Sequence, residues 1–191
     1  MTNVYIVHGY QANSNSHWFQ WLKSSLELEG HDVTVLDLPH SDQPILSEWL
    51  AYMKHHITEV NSETIFVAHS LGAITVLRYL EQLPQNNIGK LAIVSGFNEK
   101  INSLSMLDEF IDENIDYSHL KERFNQIFAI AAKDDPIVPF ELTKALCEKL
   151  DGKFYELEEG GHFCEEDGFD SFLFFSGGLS ELAEGARLES V

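Results

Sequence analysis

The sequence predicts an α/β protein in which a mostly parallel sheet of about six strands lies between two layers of helices. Short apolar runs alternate along the 191-residue chain with longer segments whose apolar residues recur at helical spacing. Several of the short runs are apolar throughout, as expected for parallel strands that are buried on both faces. Strands that alternate with helices in this way form βαβ units with right-handed crossovers, which gives a three-layer α/β/α sandwich.

Six segments are predicted to be strands because they are rich in Val, Ile, Leu, Phe and Ala. They are Val4 to Val7, Asp32 to Leu36, Thr64 to Ala68, Leu91 to Val94, Ile127 to Ala131 and Phe154 to Leu157.

Four of the intervening segments carry a single apolar stripe, which predicts helices that pack one face on the sheet. The stripes are Trp18, Trp21, Leu22 and Leu26; Trp49, Leu50, Met53 and Ile57; Ile74, Leu77 and Leu80; and Leu142, Leu146 and Leu150.

The longest connection, from Gly96 to Gln126, is also predicted to contain an amphipathic helix. Its apolar residues are helically spaced and acidic residues occupy the positions between them. We expect a surface helix on the sheet, with a lid over the substrate as the alternative. The apolar positions are Leu104, Leu107, Phe110, Ile111 and Ile115.

Size and composition indicate one soluble domain over residues 1–191, with residues 176–191 as a C-terminal tail after a closing helix. Hydrophobic residues make up 44% of the chain, which suits a sizeable core, and no apolar run approaches the ~18 residues of a membrane span. The N-terminus shows no secretory signal, and Cys147 and Cys164 form no disulfide framework. These features predict a cytoplasmic protein.

The chain is strongly acidic, with 12 Lys and Arg residues against 31 Asp and Glu residues and a formal net charge of -19. Such a surface repels phosphate backbones and anionic lipids, so we expect neither nucleic acid nor a membrane as a partner.

The motif that points to chemistry is Ala68-His69-Ser70-Leu71-Gly72, between the third predicted strand and the helix that follows it. A serine flanked by small residues at a strand-to-helix junction is the nucleophile elbow of a serine hydrolase. The turn is tight and lifts the serine clear of the sheet, and its flanking positions must be small because they crowd neighbouring backbone. Ser70 is therefore the candidate nucleophile.

The partners of Ser70 are expected downstream, because the chain order in α/β-hydrolases is serine, acid, histidine. Asp134-Asp135-Pro136 follows the fifth predicted strand, and Gly161-His162-Phe163 follows the sixth. We predict His162 as the general base and Asp135 as the acid that orients it. Asp134 is the alternative acid, or else a group that hydrogen-bonds the loop.

The first strand ends in Val7-His8-Gly9-Tyr10, next to the predicted elbow strand. The backbone N–H groups of Tyr10 and Leu71 are the candidate oxyanion hole. The possible pocket residues are His8, Gly9, His69, Trp18, Phe97 and Phe163.

No metal or cofactor is expected. The nine histidines form no His-Glu-x-x-His motif, and the chain has no Cys-x-x-Cys motif.

On these residues the chain resembles the small serine hydrolases related to retinoblastoma-binding protein 9. The similarity rests on length, on His8-Gly9 followed by a tryptophan-containing helix, on the elbow, and on the Asp134-Asp135-Pro136 and Gly161-His162-Phe163 segments. It implies a compact α/β-hydrolase fold without a large cap domain and a triad of Ser70, Asp135 and His162. Binding of the retinoblastoma protein is not implied, because a Leu-x-Cys-x-Glu motif is absent.

The expected activity is hydrolysis of a small ester or related acyl substrate through an acyl-enzyme intermediate. A peptidase or thioesterase with the same triad is the alternative within enzymes. A catalytically idle binding or scaffold protein on the same fold is the alternative outside them.

Overall fold

The computed structural model describes residues 2–84, 87–111 and 114–175. It contains one six-stranded sheet with the order β2-β1-β3-β4-β5-β6, and every adjacent pair is parallel. The strands are β1 (Asn3–Val7), β2 (Asp32–Leu36), β3 (Ile65–His69), β4 (Ile88–Val94), β5 (Phe124–Ala132) and β6 (Lys153–Leu157).

All six predicted strands are present, and β4 and β5 are longer than the apolar runs that predicted them. The α-helices are α1 (Phe19–Leu28), α2 (Leu46–His56), α3 (Leu71–Glu81), α4 (Tyr117–Lys121) and α5 (Phe140–Lys149). No described helix has the length and apolar character needed to cross a membrane.

Alternate residues of the strands point to opposite faces of the sheet, and each face has its own apolar core. Tyr5 and Val7 of β1 belong to the core that holds α2, α3 and α5. Val4 and Ile6 of the same strand belong to the core that holds α1 and the aromatic segment Phe172 to Phe175. The predicted three-layer sandwich is therefore present.

The long connection differs from the prediction. Instead of one amphipathic helix, it contains a 3₁₀ segment at Asn102–Phe110 that is broken by the non-helical backbone of Leu104, followed by the short α4. Leu107 and Phe110 are buried, and the Phe110 ring lies edge-on to Trp49 at a centroid distance of 5.3 Å. Helical spacing located the buried positions but not the break, because 3₁₀ and α periods coincide over one or two turns.

The predicted closing helix is also absent from the described chain. Residues Glu165–Asp167 and Leu173–Phe175 form short 3₁₀ turns, and Phe172 and Phe175 pack against Trp18 on the α1 side of the sheet. The predicted tail at 176–191 lies outside the described residues.

The elbow helix α3 approaches the end of β1 very closely. A Cβ atom on Gly72 would lie 2.5 Å from the carbonyl oxygen of Val7 and 2.7 Å from that of His8. Those distances are far inside van der Waals contact, so only glycine lets α3 start beside β1.

We therefore expect Gly72→Ala to lower the free energy of unfolding by about 1–3 kcal/mol, the usual range for overpacking. Urea unfolding followed by circular dichroism measures this change. The exposed exchange Ser47→Ala on α2 is the control and should stay within about 0.5 kcal/mol of the unmodified protein. An unchanged midpoint for Gly72→Ala would show that the two backbones separate easily.

Candidate active site

The candidate site lies at the topological switch point of the sheet, where the order of the strands reverses. β1 pairs with β2 on one side and with β3 on the other, and ligand sites of open α/β sheets lie at the carboxyl ends of strands at such a point. The elbow follows β3, and the loop that holds Gly9 and Tyr10 follows β1. These two loops therefore meet at one edge of the sheet.

Ser70 occupies the strained turn that the motif predicts. Its backbone has φ 54° and ψ -124°, a left-handed φ that a non-glycine residue adopts only when its surroundings enforce it. The Ser70 N–H donates to the carbonyl oxygen of Val94 at 2.9 Å, which ties the turn to β4. Gly9 lies against it, since a Cβ atom there would be 2.8 Å from the Ser70 Cβ.

His162 and Asp135 are hydrogen-bonded to each other. The His162 Nδ1 and an Asp135 carboxylate oxygen are 2.8 Å apart, and the Asp135 side chain is only 1% exposed. The second Asp135 oxygen accepts from the N–H groups of Ile137 and Val138 at 2.8 and 3.0 Å. The carboxylate is thus fixed at both ends and determines how the imidazole is oriented.

The loop that carries His162 is held by two further carboxylates. Asp134 accepts from the N–H groups of Gly160 and Gly161, both at 2.9 Å. Asp167 accepts from the N–H groups of His162 at 2.9 Å and Cys164 at 3.1 Å. Asp134 therefore has the loop-bonding arrangement that was its alternative interpretation, and Asp167 is an anchor that sequence reasoning missed.

His69 links the elbow to the same loop. Its Nε2 lies 2.8 Å from the His162 carbonyl oxygen and must donate, because a carbonyl only accepts. Its Nδ1 then carries a lone pair that is buried without a partner among the described residues. Burial lowers the pKa of His69 well below the usual value of 6.5, and the neighbouring His162 and His17 lower it further.

His8 fixes the loop after β1. Its Nδ1 lies 2.8 Å from the carbonyl oxygen of Gly9, and its Nε2 accepts from the N–H of Leu38 at 2.9 Å. Burial lowers the pKa of His8, so it acts there as a neutral imidazole with one donor and one acceptor. The structure therefore gives His8 a structural contact and no place in the cavity lining.

The candidate oxyanion donors are two unused backbone amides near Ser70. Gln11 and Ala12 donate their N–H groups to the carbonyl oxygens of Ser41 and Gly9. Within the described residues, neither the N–H of Tyr10 nor that of Leu71, the first residue of α3, donates a hydrogen bond to a backbone carbonyl. Both amides are available to a ligand oxygen.

Ser70 and His162 open on one cavity of about 510 Å³. Its lining includes the apolar residues Leu104, Leu107 and Ile137 and also the potential ligands His17, Cys164 and Glu166. The 3₁₀ segment thus contributes three residues, Ser103, Leu104 and Leu107, to the cavity lining. Of the predicted pocket residues, Gly9 and His69 line the cavity, and so does Tyr10, the candidate oxyanion donor.

The three predicted aromatic pocket residues lie in the core instead. Phe97 packs with the α3 side, and Trp18 and Phe163 pack with the α1 side, all at most 1% exposed. Trp18 Nε1 donates to the Phe163 carbonyl oxygen at 3.1 Å, so Trp18 is hydrogen-bonded to the residue that follows His162. Sequence cannot separate an aromatic residue of the core from one of a cavity, because both are buried.

Cys164 lines the cavity but is a poor nucleophile. Burial, followed by the charges of Asp167 and Glu166, raises the pKa of its thiol to about 12. The thiol is therefore protonated at neutral pH, whereas Ser70 lines the same cavity as the imidazole that Asp135 orients. Burial lowers the pKa of His17, which faces the same part of the cavity.

Known proteins are similar to this chain in sequence and in architecture. A family model described as serine hydrolase matches residues 4–176. The ydeN gene product of Bacillus subtilis is 41% identical over 169 residues, which are 88% of this chain and 89% of the relative. Its crystal structure matches with a TM-score of 0.92 at 38% identity and covers 97% of this chain and 100% of its own.

Two more distant proteins extend the comparison. The serine hydrolase RBBP9 of Rattus norvegicus is 24% identical over 148 residues, or 76% of this chain and 77% of its own. The esterase EaEST of Exiguobacterium antarcticum shares the fold with a TM-score of 0.64 at 16% identity, over 96% of this chain and 90% of its own.

The buried histidines predict how stability depends on pH. An unfolded histidine binds a proton below about pH 6.5, whereas folded His69 stays neutral to a much lower pH. The unfolded state therefore gains protons first as the pH falls, so the free energy of unfolding should decrease from about pH 7 to pH 5, by up to about 1.4 kcal/mol per pH unit for His69.

Replacement of His69 by glutamine should make this decrease shallower, because the amide still donates to the His162 carbonyl but does not titrate. Urea unfolding across this pH range measures the slope, with His55→Gln on the exposed face of α2 as the control. If both variants follow the unmodified protein, protonation of His69 is not linked to unfolding.

Proposed function

The chain belongs to the serine hydrolase family, as its resemblance to the relatives of retinoblastoma-binding protein 9 predicted, and we propose that it cleaves a small ester or related acyl substrate through a Ser70-His162-Asp135 triad. The observation that carries the proposal is the 2.8 Å contact between His162 Nδ1 and the buried Asp135 carboxylate, beside the cavity that Ser70 also lines. That contact selects one tautomer and one orientation of the imidazole.

The first half of the reaction forms an acyl-enzyme. Because His162 Nδ1 donates to Asp135, its Nε2 holds the lone pair that removes the Ser70 hydroxyl proton. The Ser70 oxygen attacks the carbonyl carbon, and the negative charge on the former carbonyl oxygen is stabilised by the N–H groups of Tyr10 and Leu71. His162 then gives its proton to the leaving alcohol as the bond to that oxygen breaks.

The second half repeats these steps with water. A water molecule loses its proton to His162 and attacks the acyl carbon, and the proton returns to Ser70 as the acid is released. Asp135 stays ionised throughout and stabilises the imidazolium that forms in both halves.

The cavity supports a small substrate with an apolar portion. Its volume of about 510 Å³ suits a small molecule, and Leu104, Leu107, Pro136 and Ile137 provide an apolar wall for an acyl or alcohol group. The chain's two cysteines are free thiols, which fits the expected cytoplasmic location.

We expect a fluorophosphonate probe to label the purified protein at Ser70, since the probe reacts only with an activated serine. Peptide mass spectrometry locates the adduct, and Ser70→Ala should abolish labelling and lower ester hydrolysis by at least about 10³-fold while the circular dichroism spectrum is unchanged. Hydrolysis that persists in Ser70→Ala would exclude this mechanism. A folded protein that is never labelled would favour the idle scaffold.

The two adjacent aspartates provide a matched pair that tests the acid. Asp135→Asn disturbs the tautomer of His162 and should lower kcat/KM for an ester substrate by about 10³–10⁴-fold. Asp134→Asn keeps an amide oxygen that can accept from Gly160 and Gly161, so we expect a loss below about tenfold. Steady-state kinetics on both variants decide the assignment, and the opposite order would make Asp134 the acid.

A further inference from the structure

Three potential metal ligands from distant parts of the sequence meet in the cavity. His17, Cys164 and Glu166 each offer one ligand atom, and these atoms lie within 4.8 Å of one another. All three residues line the cavity that Ser70 lines, and the Glu165 N–H donates to His17 Nδ1 at 3.2 Å, which joins the two chain segments. Spacing along the sequence could not reveal this group, because His17 precedes α1 whereas the other two follow β6.

The three ligand types are those that Zn²⁺ prefers. Imidazole nitrogen, thiolate sulfur and carboxylate oxygen bind Zn²⁺ at about 2.0–2.3 Å, which puts tetrahedral ligands about 3.3–3.8 Å apart. Since the three ligand atoms lie within 4.8 Å of one another, the distance between any two of them would need to shorten by at most about 1.5 Å. Glu166 is exposed and free to make that rotation.

We propose that His17, Cys164 and Glu166 bind a divalent cation of the Zn²⁺ type at the side of the cavity, and that the bound ion inhibits hydrolysis. The binding claim stands alone, whereas the inhibition claim rests on the proposed function.

The charge around the group favours a cation. Glu165 and Asp167 flank Glu166 in the sequence, and the whole chain carries a formal net charge of -19. Asp167 is not a member of the ligand group, and its Oδ2 accepts from the N–H groups of His162 and Cys164. Three protein ligands leave a fourth position of the ion open to water.

Binding requires two exchanges. The Cys164 thiol, which contacts the His162 carbonyl oxygen at 3.8 Å, releases its proton to solvent and bonds to the metal as thiolate. Whichever His17 nitrogen binds the metal, the hydrogen bond that Nδ1 accepts from the Glu165 N–H is given up, because a ring bound through Nε2 carries its proton on Nδ1. At 3.2 Å that hydrogen bond is at the long end of the normal range.

Inhibition follows from position and charge. The ion would occupy part of the cavity that the substrate needs, because the three ligands of the ion line that cavity. It would also place positive charge beside the loop of His162, which must itself become positively charged during the reaction.

Binding is tested with Co²⁺ as a spectroscopic probe. Titration of the purified protein should produce a sulfur-to-cobalt charge-transfer band in the near ultraviolet, which Zn²⁺ then abolishes by competition. The band should be lost in Cys164→Ser and kept in Cys147→Ser, because the second cysteine is buried on α5. A band that is absent, or that survives in Cys164→Ser, would overturn the site.

The neighbouring glutamates separate ligation from general attraction. Glu166→Gln and Glu165→Gln remove the same charge, but only Glu166 offers a ligand atom to the group. We expect Glu166→Gln to weaken Co²⁺ binding at least tenfold and Glu165→Gln less than threefold. Equal effects would show that the acidic surface attracts the ion and that Glu166 does not ligate it.

Inhibition is tested by ester hydrolysis at increasing Zn²⁺ concentration, with reversal by EDTA. Cys164→Ser should need at least tenfold more Zn²⁺ for half inhibition, and Cys147→Ser should match the unmodified protein. Equal inhibition of both variants would place the inhibitory ion elsewhere and overturn the second claim. Absence of any hydrolysis would contradict the proposed function, while the Co²⁺ spectra would still decide whether the metal site exists.

Discussion

The site depends on how closely the nucleophile elbow approaches the end of β1. Gly72 permits the approach from the helix side, where a Cβ atom would meet the carbonyl oxygens of Val7 and His8, and Gly9 permits it from the strand side, where a Cβ atom would meet Ser70. Tyr10 follows Gly9 and Leu71 follows Ser70 directly in the chain, so the same approach positions their backbone amides. A side chain at either glycine would therefore disturb the candidate nucleophile and the candidate oxyanion donors together.

Aspartate side chains hold the loop that carries His162 in place. Asp134, Asp135 and Asp167 together accept hydrogen bonds from the backbone amides of six residues, and none of these bonds involves a cationic side chain. Asp135 also contacts the His162 imidazole. Hydrogen bonds to an ionised acceptor are stronger than those between neutral groups. A loop with two glycines would otherwise sample many conformations, and these bonds hold His162 in one of them.

The sequence was sufficient for the fold because local patterns and the chain order of parallel strands determine it. Each strand prediction required only a run of apolar residues, and the candidate residues Ser70, Asp135 and His162 followed from the rule that functional loops leave the carboxyl ends of strands. The residues that line the cavity could not be predicted in the same way. None of Trp18, Phe163, Leu104 and Leu107 lies in a strand, so the alternation of side chains along strands does not decide which of them line the cavity. Their placement depends on the non-helical backbone at Leu104 and on the packing of Phe172 against Trp18 and Phe163.

Three buried histidines near the candidate site, His8, His69 and His162, differ in what their ring nitrogens contact. The rings of His69 and His162 have centroids 4.8 Å apart, so a charge on both would be strongly repulsive. Burial keeps His69 and His8 neutral, and each uses its neutral form to donate to a backbone carbonyl next to the site. His162 differs because Asp135 offers its Nδ1 a carboxylate where His69 and His8 have only carbonyl oxygens. In the proposed mechanism, the positive charge therefore forms on the one imidazole of these three that contacts a carboxylate.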